Sequence, residues 1–146
     1  MIINGFPVRT DCQRLVRGGT LQGSMKGVGV DIVEVSRIAA SLARTPDFAW
    51  LVFSEGERAF CQGRPFPERH FAARFAAKEG FLKAVGRGIL DGIPLREIEV
   101  VQPERGQPAL RLGPAAAGAL ASAGAREARV SLSRGARLAT ALVVLS

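Results

Sequence analysis

Apolar and polar or glycine positions alternate through Gly27-Val28-Gly29-Val30-Asp31-Ile32-Val33, the two-residue period of a strand. Ser36 to Arg44 then reads as a helix that Thr45-Pro46 ends. Ser54-Glu55-Gly56-Glu57 has the form of a capping box and starts a short helix toward Cys61. The loop Arg64-Pro65-Phe66-Pro67 leads into a long helix ending near Gly86, on which Phe71, Phe75, Leu82 and Val85 form an apolar stripe. Short strands follow at Ile98–Val101 and Pro108–Leu112, joined by a turn through Glu104-Arg105-Gly106-Gln107. An Ala-rich helix is predicted from Pro114 to Ala123. Strands at Val130–Ser133 and Ala139–Leu145 close the chain, the last apolar enough to be buried on both faces. The sum is a mixed α+β fold with helices gathered before most of the strands.

Residues up to about Ser24 are Gly-rich and aperiodic, and Met25-Lys26 stands directly before the first clear strand. Residues 1–24 are therefore expected to be an N-terminal extension, disordered or non-native, whose deletion leaves folding and activity intact, with the domain running from 25 to 146. A chain of 146 residues fits one domain with a single core. Hydrophobic content of 47% beside 23% charged residues is globular, and no apolar run has the length of a membrane span. No secretion signal is evident at the N-terminus, and Cys12 and Cys61 lie far apart without the spacing of a disulfide framework or zinc knuckle. A cytoplasmic location is expected. The net charge of +7 is spread along the chain without a dense Lys/Arg block, which suits acidic or phosphorylated ligands as well as nucleic acid and supplies no nucleic-acid motif.

Charge within the long helix changes the picture. Lys78 falls inside the apolar stripe and Glu79 at its edge, and buried charge is costly unless paired or metal-bound. Glu79 and Lys83 also have the spacing of an ordinary surface ion pair. Asp31 is out of place in a strand, where a turn or helix-capping role competes with a functional one. Two carboxylates from different elements with lysines beside them make a plausible Mg²⁺ site, because that ion takes one or two carboxylates and completes its shell with water and phosphate oxygens. The chemistry suggested is transfer at a phosphate or pyrophosphate.

Gly27-Val28-Gly29-Val30-Asp31-Ile32-Val33-Glu34, followed after roughly forty residues by Arg74-Phe75-Ala76-Ala77-Lys78-Glu79 and then Lys83, resembles the holo-acyl carrier protein synthase type of 4′-phosphopantetheinyl transferase. The likeness runs from about Met25 to the C-terminus. It implies a single α+β domain with a short antiparallel sheet packed against a long helix. The implied activity moves the phosphopantetheine arm of coenzyme A to a serine of an acidic acyl carrier protein, in fatty-acid or other lipid biosynthesis. The resemblance makes Asp31 and Glu79 the Mg²⁺ ligands, Glu79 and Lys83 the catalytic pair, and Lys78, Lys83, Gly86, Ser133 and Arg134 contacts to coenzyme A. Either Glu79 or a metal-bound water takes the serine proton. Arg37 and Arg44, seven apart on one helix, would receive the carrier protein, and a homotrimer would build the site between subunits.

The pattern has departures. Arg134 stands where the family usually has a His after Ser-x-Ser; it can hold phosphate but not act as an acid or base near neutral pH. Gln107 replaces a Lys in a Gly-Lys-Pro turn, and Gly80 follows the Lys-Glu pair, weakening the helix modestly. A non-catalytic homologue that binds coenzyme A or carrier protein is the alternative these raise. His70, the only histidine, reads as a surface or capping residue.

Overall fold

The computed structural model describes residues 2–3, 6–7, 24–103 and 106–146. Strands β1 (Ile2–Ile3) and β2 (Phe6–Pro7) pair antiparallel with each other. The expectation for residues 1–24 otherwise lies outside the described residues, as do Glu104 and Arg105 of the predicted turn.

Five strands form the main sheet, in the order β3 (Gly27–Glu34), β7 (Leu138–Leu145), β6 (Ala128–Arg134), β5 (Ala109–Leu112), β4 (Ile98–Val101). Every neighbouring pair is antiparallel. The helix α4 (Pro67–Ala84) lies along the β3–β7–β6 side of one face. Helices α1 (Val35–Arg44), α2 (Phe48–Val52) and α3 (Glu55–Gln62) gather around it, and α5 (Pro114–Ser122) follows β5.

Local chemistry explains the boundaries. The Ser54 hydroxyl accepts from the Glu57 amide and the Glu57 carboxylate accepts from the Ser54 amide, so the capping box starts α3 as expected. Pro67 and Pro114 open α4 and α5 at positions where a missing N–H costs nothing. Gly86, at φ 71°, turns the chain out of α4 through the left-handed region. The five-residue α2 was not predicted, because so short a helix shows no period.

Two expectations need correction. α4 is not amphipathic: its buried residues, among them Phe71, Ala73, Ala76, Lys78, Phe81 and Leu82, lie on every side, since small residues let both sheet and helices close on it. β7 is not buried on both faces. Ala139, Ala141, Val143 and Leu145 pack toward α4, whereas Leu138 and Leu142 are exposed. The partner strand β3 alternates in the same register, leaving Val28, Val30 and Ile32 exposed on that outer face. Within one chain, helices cover only one side of the sheet.

Candidate active site

Asp31 belongs to the inner row of β3 with Gly27, Gly29 and Val33, the row that faces α4. The two glycines let the helix backbone settle directly on the strand: a Cβ at Gly29 would collide with the Gly80 carbonyl oxygen and come within 2.7 Å of the Ala84 nitrogen. A Cβ at Gly27 would collide with the Ala84 carbonyl oxygen. That approach carries Glu79 and Lys83 to the Asp31 side chain. The Lys83 ammonium donates to Asp31 Oδ1 at 2.7 Å and to the Val30 carbonyl at 3.2 Å. Thr140 on β7 donates to the Asp31 carbonyl at 2.8 Å, fixing the strand beneath the carboxylate.

Lys83 thus pairs with Asp31 and not with Glu79, whose spacing also allowed an ordinary surface pair. Glu79 is half-buried, and its carboxyl is held above the usual range by burial first and by the Asp31 charge second, against a smaller opposing effect of Lys83. Two carboxylates near enough for the Asp31 charge to oppose ionisation of Glu79, with one lysine bound to Asp31, make a site short of positive charge. Among the described residues no cluster of three or more metal-ligating side chains occurs. A two-carboxylate oxygen set suits Mg²⁺, which leaves most of its shell to water and phosphate. The pair opens on a cleft of about 320 Å³ whose walls include Arg37, Ile38, Phe48 and Phe75. Arg37 and Arg44 are both exposed on α1, and only Arg37 reaches the cleft.

Lys78 is not available to coenzyme A. Its side chain is fully buried, and the ammonium donates to Glu57 Oε2 at 2.8 Å, the Leu95 carbonyl at 2.9 Å and the Ile98 carbonyl at 2.7 Å. Burial pushes the ammonium below its ordinary value, opposed by the Glu57 carboxylate. Gly86 offers no amide cradle either. Its N–H bonds the Lys83 carbonyl, the Arg87 N–H bonds that of Leu82, and the Gly88 N–H donates to Asp91 Oδ2 at 2.7 Å.

A second concentration of charge lies along α4. Arg74 is almost fully buried, with its guanidinium 4.1 Å from the Phe60 ring centroid and Nη1 only 3.5 Å from the His70 carbonyl. Its Nε and Nη2 have no partner among the described residues. His70 is buried rather than superficial, against expectation, with Nδ1 also unpartnered, and burial followed by the charges of Arg134, Arg74 and Arg64 lowers its basicity. Arg134 therefore stands in the field of Arg74 and His70. Ser133, one position earlier, belongs to the opposite, outer row of β6, opposite Thr140. Arg74 was overlooked in the sequence, although it sits one turn before Lys78 and the same reasoning about charge in an apolar setting applied to it.

Residues 27–141 match the 4′-phosphopantetheinyl transferase superfamily. The holo-[acyl-carrier-protein] synthase of Syntrophus aciditrophicus is 44% identical over 121 residues, covering 82% of this chain and 94% of its own. That of Clavibacter michiganensis is 41% identical over 120 residues, covering 82% and 94%. Among solved structures, the Neisseria meningitidis holo-[acyl-carrier-protein] synthase superposes with a TM-score of 0.75 at 31% identity, covering 84% of this chain and 99% of that one. The Chronobacterium ammoniagenes enzyme, solved as a complex with CoA, gives 0.73 at 36% identity, covering 84% and 96%. With its two signature segments folded into one acidic site and relatives matched over most of their length, the chain belongs to the 4′-phosphopantetheinyl transferase superfamily, among the holo-acyl carrier protein synthases.

Proposed function

We propose that the chain transfers the 4′-phosphopantetheine group of coenzyme A to a serine of an apo-acyl carrier protein, with Asp31 and Glu79 holding Mg²⁺. The observation that carries this reading is the meeting of Asp31, Glu79 and Lys83 from two elements, with both carboxylates lining one cleft. Bound Mg²⁺ would supply charge stabilisation at the pyrophosphate. Lys83, half-exposed and already held by Asp31, is placed to neutralise phosphate charge. Glu79, its carboxyl raised by burial first and by the Asp31 charge second, suits the serine proton, as does a metal-bound water. Arg134 suits the anionic groups of coenzyme A, and the almost fully buried Arg74 adds to the positive field there. Arg37 and Arg44 suit an acidic carrier protein.

The exposed row of Val28, Val30, Ile32, Leu138 and Leu142 supports a homotrimer that covers the outer face of the sheet. Among the described residues no helix is long and apolar enough to cross a membrane, and a cytoplasmic location agrees with substrates of this kind. Arg134 in place of the family His favours a second reading, binding of coenzyme A without transfer. Intact-mass measurement of apo-carrier protein incubated with the purified chain, coenzyme A and Mg²⁺ decides. Gain of one phosphopantetheine, lost on chelation, is expected; coenzyme A binding with no mass gain from any carrier protein would select the second reading.

A further inference from the structure

α4 is aimed from more than one side. Gly80 and Ala84 close on Gly29 and Gly27 of β3, and beyond the first turn only Phe75, Glu79 and Lys83 escape full burial, a single stripe at i, i+4 and i+8. The site requires one rotation, the one that turns Glu79 and Lys83 toward Asp31.

Lys78 fixes that rotation from another side of the helix. An ammonium has three donors, and here all three are engaged, one on the Glu57 carboxylate and two on the carbonyls of Leu95 and Ile98. Glu57 is held just as firmly. Its Oε1 accepts from the Val100 amide at 2.9 Å, and its Oε2 accepts from the Ser54 amide at 2.9 Å as well as from Lys78. The lysine therefore ties α4 to α3, to the 3₁₀ turn Leu95–Glu97 and to β4. A slip of one residue turns the helix by about 100° and breaks all three bonds. The same slip would carry Glu79 away from Asp31.

We infer that Lys78, with Glu57 as its counter-charge, is a positioning residue for the reaction: it locks the rotation of α4 that delivers Glu79 and Lys83 to Asp31. The inference rests on reading Asp31 and Glu79 as the divalent-cation pair. Stability alone is a poor reason to keep such a pair, because apolar residues of similar volume serve a core as well or better, whereas fixing register is the best-attested use of buried polar groups. It also gives a role to the Ser54–Glu57 capping box, which places the acceptor.

The test is the double substitution Glu57→Gln/Lys78→Met in the full chain. It removes both charges, conserves volume and leaves an amide oxygen to accept from Val100. Mn²⁺ binding by calorimetry, thermal melting and transfer kinetics are read together. The folded double variant is expected to bind Mn²⁺ about ten- to a hundredfold more weakly, the range seen when supporting groups around a metal are lost. Its kcat should fall while KM for the carrier protein holds. A folded double variant with wild-type Mn²⁺ affinity and kcat overturns the positioning role. Should it fail to fold, Glu57→Gln alone keeps a neutral acceptor for the ammonium; weaker Mn²⁺ binding supports the inference, and unchanged binding overturns it. Wild type that transfers the group without binding Mn²⁺ overturns the cation reading instead, and kcat of the folded variant then decides the positioning role by itself.

Discussion

Two lysines on α4 make ion pairs of nearly the same length, Lys78 with Glu57 at 2.8 Å and Lys83 with Asp31 at 2.7 Å. Their surroundings differ completely: both partners of the first are 0% exposed, while Lys83 is 51% exposed and Asp31 16%. Equal geometry thus serves opposite ends. The inner pair is enclosed by backbone carbonyls and amides and can exchange neither partner without stranding a charge. The outer pair faces a cleft, and Asp31 can give up its lysine to a stronger cation while Lys83 turns to a phosphate. Distance alone would have ranked them together; burial separates architecture from chemistry.

The comparison breaks first at the inner pair. Lys78→Ala should cost about 3–5 kcal/mol, because Glu57 is left buried without its counter-charge. Urea denaturation measures this, and a loss below about 1 kcal/mol would show the pair to be far more solvated than its 0% exposure indicates.

The next largest effect concerns how closely α4 approaches β3. Gly29→Ala sets a methyl against the Gly80 carbonyl and should cost about 1–3 kcal/mol or more, with weakened metal binding. Gly80→Ala meets the Val143 Cγ2 methyl at 3.3 Å and, at ordinary contact distances, the carbonyl oxygens of Gly29 and Ala141 at 3.5 and 3.8 Å. A gain in helix propensity of about 1 kcal/mol offsets that crowding, so melting should hold or rise. Equal losses from the two substitutions would show that the close approach is not the constraint.

A third effect is a pH dependence at the outer site. The folded-state carboxyl of Glu79 lies above its ordinary value of 4.5, so the stability tied to it is fully present below that value. It is lost as pH rises through the raised value. In the metal-free protein Glu79→Gln should therefore raise the melting temperature at neutral pH and change little in acid. Metal affinity should run the other way and strengthen as pH rises through the same range, since cation and proton compete for one carboxylate. Melting curves across pH, with and without Mn²⁺, read both slopes.

The smallest expected effect is at Lys83 itself. Lys83→Ala should change stability by less than about 1 kcal/mol, as for exposed pairs generally, yet lower kcat steeply. Denaturation beside transfer kinetics checks the split.

Strands and helices were largely legible because period and punctuation agreed: Thr45-Pro46 closes α1, Ser54 caps α3, and Gly86 ends α4. The acidic pair was legible as well, since Asp31 and Glu79 break the pattern of their own elements. What did not show was the direction of each charge on α4. The stripe set Lys78 inside and Glu79 at its edge, yet both were read as facing the ligand, because sequence does not show which neighbours enclose a buried charge. Arg74, one turn earlier, was passed over altogether. Gly86 was legible as a helix cap, and its φ of 71° agrees; the partners of the following amides are what sequence could not show. The bare outer face of β3 and β7 follows from where helices fall in space, which strand composition does not reveal.

The central claim is that Asp31 and Glu79 share one divalent cation. Mn²⁺ titration followed by electron paramagnetic resonance on wild type, Asp31→Ala and Glu79→Ala tests it directly. A single site in wild type, lost in each variant while its melting curve stays cooperative, is the predicted result. Undiminished Mn²⁺ binding in either folded variant would contradict the account.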